Sequence, residues 1–147
     1  MTLAERINDD VKTAMKSHDK EKLNVIRMVK SAIQLAKIEA KHDLSDEEVI
    51  DVISKQIKMR KDSIVEFEKA SRTDLAEAYK REIDILSEYM PEPLSKEEVE
   101  KIIEEVFVKI NPTSPKQMGL IMKKVTPLVK GKFDMGEVSK MIREKLN

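Results

Sequence analysis

The residues of this 147-residue chain with the plainest capacity for chemistry are cations. From position 116 onward, Lys116, Lys123, Lys124, Lys130, Lys132, Lys140, Arg143 and Lys145 stand against only three acids. Cations at that density can track a phosphate backbone, each neutralised phosphate releasing condensed counterions. Lysines on the solvent face of a helical bundle are also ordinary. Stacking on single-stranded bases needs aromatic platforms, and the only aromatics are Phe67, Tyr79, Tyr89, Phe107 and Phe133, mostly on apolar helix faces. Shape and phosphate readout of a folded RNA suits this composition better.

Arg27, Arg60 and Arg72 stand out in the front half. Arg60-Lys61-Asp62 and Arg72-Thr73-Asp74 flank the end of a long helical segment and its turn. An arginine beside a carboxylate either forms a structural fork or clamps an anionic substrate. Other chemistry finds little support. The two histidines, His18 and His42, fall at expected helix ends, where an imidazole serves the helix dipole or faces water. Glu39-x-x-His42 occurs once, whereas a di-iron bundle needs two copies. Asp9-Asp10, Glu47-Glu48, Glu97-Glu98 and Glu104-Glu105 mostly sit in first helical turns, where carboxylates offset the dipole. With no cysteine, disulfide frameworks, zinc ribbons and thiol nucleophiles are excluded. No Gly-x-Ser-x-Gly or phosphate-binding glycine loop is present. The expectation is no catalytic residue, no cofactor and no metal.

The elements that must carry these residues are helices. Thr2/Glu5, Ser45/Glu48, Ser95/Glu98, Ser114/Gln117 and Asp134/Glu137 have capping-box spacing. Asp19 and Thr73 suit N-caps. Apolar residues then recur at helical spacing: Leu3, Ile7, Val11 and Ala14; Leu23, Ile26, Val29 and Ile33; Val49, Ile53, Ile57, Ile64 and Phe67; Leu75, Tyr79, Ile83, Leu86 and Met90. They predict helices to about His18, Lys41, Ala70 and Met90. Pro91 and Pro93 break the pattern, and a subdomain boundary is expected there. Three shorter helices follow, with Pro127 ending or kinking the middle one and Gly131 suiting a left-handed turn. Met118, Met122, Met135 and Met141 serve either the tail's core or an adaptable groove. No segment alternates as a strand. The fold class is all-α: a multihelical subdomain over 1–90, then a small three-helix bundle over 91–147.

The formal net charge is zero, so a general nucleic-acid sponge is excluded while a local basic face is not. Residues 1–90 hold 17 bases and 19 acids, and residues 91–147 hold 11 and 9. No apolar run exceeds three residues, so no membrane span or membrane partner is expected. The first residues lack the apolar core of a signal peptide, which suggests a soluble cytoplasmic protein.

An ordered set of motifs resembles the GatB/YqeY family over nearly the whole chain. It comprises Leu23-x-x-Ile26-Arg27, Arg60-Lys61-Asp62-Ser63-Ile64-x-x-Phe67, Arg72-x-Asp74-Leu75-Ala76, Glu82-Ile83-x-Ile85-Leu86 and Tyr89-Met90-Pro91. In the tail the markers are Met118-Gly119-x-Ile121-Met122-Lys123 and Gly131-Lys132-x-Asp134-x-Gly136-x-Val138. The related region is the tail of GatB, a subunit of the glutamine-dependent amidotransferase that acts on mischarged Glu-tRNA(Gln) and Asp-tRNA(Asn). There it contacts the tRNA body, while the chemistry lies in a domain and a subunit with no counterpart here.

The resemblance implies a non-catalytic adaptor that binds tRNA and assists tRNA-dependent amidation. A carbon–nitrogen ligase label would come by inheritance alone. Lys123, Lys124, Lys130, Lys132 and Arg143 are expected at phosphates, with Arg27 and Arg60 as a second contact. The alternatives are an adaptor docking a partner helix from a translation or amidotransferase complex, and an amidase-like enzyme.

Overall fold

A computed structural model describes residues 1–147. It contains seven α-helices and one short 3-10 turn, and no strand, as the all-α reading expects. The chain divides into two compact units, Met1–Met90 and Pro91–Asn147.

Unit 1 holds α1 (Leu3–Lys16), α2 (Lys20–Ala40), α3 (Asp46–Lys69) and α4 (Thr73–Ser87). The starts of α1 and α3 are fixed by complete capping boxes, Thr2 with Glu5 and Ser45 with Glu48. Asp19 caps α2 by accepting from the Lys22 amide at 3.1 Å. Thr73 is not a cap. It is the first helical residue, and the N-cap position falls to Arg72, whose guanidinium has no acceptor for a helix amide and instead donates to Asp74. α4 stops at Ser87, short of Met90, because the amides of Glu88 and Tyr89 bond the carbonyls of Ile85 and Leu86, three residues back. That tightened exit carries Tyr89 inward, where it is 4% exposed. The core joins Ile7 of α1, Val25, Ile26 and Val29 of α2, Val49 and Ile53 of α3, and Leu86 and Tyr89.

Unit 2 holds α5 (Lys96–Ile110), α6 (Met118–Val129) and α7 (Met135–Leu146). Ser95 and Glu98 box the start of α5. Ser114 and Gln117 box a 3-10 turn, Pro115–Gln117, that leads directly into α6. α6 continues two residues past Pro127, so that proline does not end it. Pro127 lies on the exposed side of the last turn, where one missing amide donor leaves only a water-accessible carbonyl. Gly131 has φ 77°, the left-handed region that glycine enters without steric cost. Asp134 caps α7 through the Gly136 amide at 3.0 Å. Val99, Ile103 and Val106 of α5, Ile121, Val125 and Val129 of α6, and Val138 and Ile142 of α7 form the core.

Candidate nucleic-acid interface

The cations expected at phosphates belong to unit 2. On α6, Ile121, Val125 and Val129 recur every fourth residue and are fully buried. Lys123, two positions from both Ile121 and Val125, projects away from that row, and Lys124 is exposed beside it. Lys130 closes α6 and is exposed. Lys132 is half-buried in the following turn, where its carbonyl accepts from Leu94 at 2.8 Å and its amide donates to Val129 at 2.9 Å. These two bonds tie the Gly131 turn to the start of unit 2. Arg143 is exposed in the last turn of α7, one position past the buried Ile142.

None of Lys123, Lys124, Lys132 and Arg143 takes part in an ion pair. Lys145, by contrast, covers the Phe107 ring at 5.4 Å. The four tail methionines pack against the unit 2 core, which favours the core use of that set over a groove.

The two arginines expected as a second contact are placed differently. Arg60 is 5% exposed. Its Nε donates to Glu82 Oε1 at 3.1 Å, and its Nη1 donates to the Gln56 carbonyl at 3.1 Å and to Gln56 Oε1 at 2.9 Å. The guanidinium also lies 6.0 Å from the Tyr79 ring centroid. Arg60 is therefore removed from the expected interface: it is buried, and its donors are occupied within unit 1. Arg27 is exposed on α2, but its neighbours in an open groove include Met28 and Met59. Arg72 makes the structural fork, donating to both oxygens of Asp74 at 3.1 and 3.0 Å. That fork lowers the Asp74 carboxyl below its usual range and raises the guanidinium.

The remaining candidates resolve into local structure. His42 Nδ1 lies 2.8 Å from the Asp43 carbonyl, and its Nε2 lies 3.7 Å from Glu48. Lys37 bonds Asp43 and lowers its carboxyl. No three His, Asp or Glu side chains gather as a metal site. Sequence reasoning missed two polar links within unit 1, Arg60 to Glu82 and Tyr89 to Asp10. For the first, the visible signal was that Arg60 falls on the apolar row of α3 between Ile57 and Ile64, which marks it as buried but does not name its partner. Nothing local marks Asp10 as a partner for Tyr89, 79 residues away.

Comparison with known proteins places these features in a family. A family sequence profile described as "Yqey-like protein" matches residues 4–146. A protein of Pyrenophora tritici-repentis named "Altered inheritance of mitochondria protein 41, mitochondrial" is 32% identical over 142 residues, 95% of this chain and 78% of that protein. The protein of the same name from Kluyveromyces lactis is 38% identical over 112 residues, 74% of this chain and 60% of its own length. That from Saccharomyces cerevisiae (strain YJM789) is 40% identical over 93 residues, 62% of this chain and 50% of its own length. The chain thus spans half to three fifths of the length of the latter two. These names correct the cytoplasmic expectation, since the relatives are called mitochondrial. That expectation rested on a missing apolar signal core. Mitochondrial targeting segments are amphipathic and Arg-rich and have no such core, so its absence does not discriminate.

Proposed function

The chain belongs to the YqeY-like family, and from that premise we propose that it is a non-catalytic adaptor that binds a folded RNA, tRNA foremost, through the cations of unit 2. The observation that carries this reading is that Lys123, Lys124, Lys132 and Arg143 form no ion pair with the protein's own carboxylates. An ammonium already held by a carboxylate must give up that partner before it can meet a phosphate; these do not. Lys130, at the end of α6, joins them in the proposed interface. The turn from Gly131 to Gly136 sets the spacing between the α6 and α7 cations. Its backbone is fixed by the Leu94–Lys132 bond and by Asp134 on Gly136. The similarity to the GatB tail supports tRNA as the RNA and tRNA-dependent amidation as the process assisted. Phosphate contacts fix position on an RNA without reading its bases, which suits an adaptor.

The test is binding of the full chain to total tRNA across a salt series, with duplex RNA as control. The expected result is tighter binding to tRNA and a salt slope equivalent to a few phosphates. Lys123→Ala with Lys124→Ala should weaken binding and flatten the slope by about one to two charges. Unchanged affinity and slope in that variant would reject the site. Equal affinity for duplex RNA would reject tRNA as the target.

A second reading, a partner helix docked on unit 2, draws on the exposed Val108, Leu120 and Leu128. It predicts binding that is nearly independent of salt.

A further inference from the structure

α2 carries two apolar faces, and only one of them is covered. Val25, Ile26 and Val29 enter the unit 1 core. Met28, Leu35 and Ile38 lie on another face, 52%, 60% and 63% exposed. Leu35 falls nine residues after Ile26, about half a turn round the helix. Asn24, Met28, Ser31, Leu35 and Ile38 are spaced alternately by four and three, the pattern of a helix-pairing seam. At its Asn24 end the seam opens into a groove of about 800 Å³ toward α3, lined by Asn24, Arg27, Met28, Ser31, Gln56 and Met59. Met59 across the groove is itself 60% exposed. Unbranched methionines at such a place repack readily around an incoming side chain.

The charge around the seam identifies what fits it. Lys22 and Lys37 are held by Glu88 and Asp43, and Glu21 by Arg81. That leaves Lys20, Arg27 and Lys30 on α2, and Lys41 just past its end, without ion pairs, against Glu39 alone. A second copy of this chain is a poor occupant. It would lay the same net-positive face of α2 against this one. We propose that the α2 seam and its groove dock an amphipathic helix of a partner protein, with a leucine-type row against Met28, Leu35, Ile38 and Met59 and flanking carboxylates toward Arg27 and Lys41.

This site lies in unit 1 and does not depend on RNA binding by unit 2. The probes are two synthetic helices of about 20 residues with the same leucine row, one flanked by glutamates and the other by lysines. Binding is read on the full chain by methyl NMR and by anisotropy. The glutamate peptide should shift the methyls of Met28, Leu35, Ile38 and Met59 saturably, and bind at least about tenfold tighter than the lysine peptide. Arg27→Glu should reverse that order. Leu35→Glu, at an exposed position, should abolish binding of both while the fold persists. The Lys123→Ala, Lys124→Ala variant should bind the peptide unchanged, which separates this site from the RNA site. Equal affinity for both peptides, or no saturable shift at these methyls, would overturn the proposal. So would binding of phosphatidylglycerol vesicles without peptide binding, or self-association blocked by Leu35→Glu.

Discussion

In unit 1, Arg60 bonds Glu82 across α3 and α4, Arg81 bonds Glu21 across α4 and α2, and Lys22 reaches Glu88 just beyond α4, while in unit 2 Lys123, Lys124, Lys132 and Arg143 pair with nothing. Both units rest on cores of buried valines and isoleucines, to which unit 1 adds Leu86 and Tyr89. They differ in what their charge does. Unit 1 uses part of it as cross-links between helices; unit 2 relies on its core, caps and turn, and leaves cations facing water. The lesson is that charge content alone does not mark a binding surface. Unit 1 has 17 bases and unit 2 has 11, and each leaves some without ion pairs: Lys12, Lys16, Lys20, Arg27 and Lys30 in unit 1, and Lys123, Lys124, Lys132, Lys140 and Arg143 in unit 2.

The sharpest way to break this comparison is Arg60→Met. Removing a buried guanidinium leaves Glu82 and the Gln56 side chain without their partner, and should cost about 3 kcal/mol. Thermal unfolding should show the loss, and hydrogen exchange should place it in α3 and α4. Adding Glu82→Leu should recover most of it, because the stranded carboxylate goes too. A loss below about 1 kcal/mol would mean that the cross-links of unit 1 are incidental.

Tyr89→Phe comes next. The phenol donates to Asp10 Oδ2 at 2.5 Å, with the Arg6 guanidinium 4.8 Å from the ring centroid. Burial, then the bond to Asp10 and its charge, raises the phenol above its ordinary 10.0. A group whose folded value is raised gives stability that is complete below its unfolded value and is lost as pH rises through the folded one. Unit 1 should therefore weaken above about pH 10, and Tyr89→Phe should cost about 1 kcal/mol at neutral pH while blunting that alkaline loss. Equal alkaline sensitivity in both proteins would remove Tyr89 from the account.

Smaller effects sharpen the contrast. Arg72→Ala removes an exposed fork and should change stability by less than about 0.5 kcal/mol in a denaturant titration. Lys123→Ala with Lys124→Ala should leave the melting temperature within error and act only on RNA affinity. A clear fall in stability there would make those lysines structural, like Arg60.

Much of the fold is legible in the sequence because its signals are local. A capping box links residues three apart, so its spacing can be read directly: Thr2/Glu5, Ser45/Glu48, Ser95/Glu98 and Ser114/Gln117 form, while Asp134 caps α7 without Glu137 closing a box. Errors arise where a tertiary contact or a competing local bond prevails. Thr73 falls inside α4, one residue past the N-cap position, and α4 ends early in the three-residue amide bonds that carry Tyr89 into the core. The candidate site is legible as composition: the tail lysines are visible as a run, but whether each is free of carboxylates is not. Arg60 falls on the apolar row of α3 between Ile57 and Ile64, whereas Lys123 falls off the Ile121–Val125–Val129 row, so spacing hints at which is buried; it does not name Glu82 as the partner of Arg60.

Residue types and short-range spacing determined by themselves that this chain is helical, where most of its helices begin, and that its later part is rich in cations. These follow from hydrogen bonds and periodicities that span three or four residues. Only the tertiary structure decided which charges are used up. Glu82 lies 22 residues from Arg60, and Asp10 lies 79 from Tyr89. An ion pair is set by distance in space and by exclusion of water, and sequence separation carries neither.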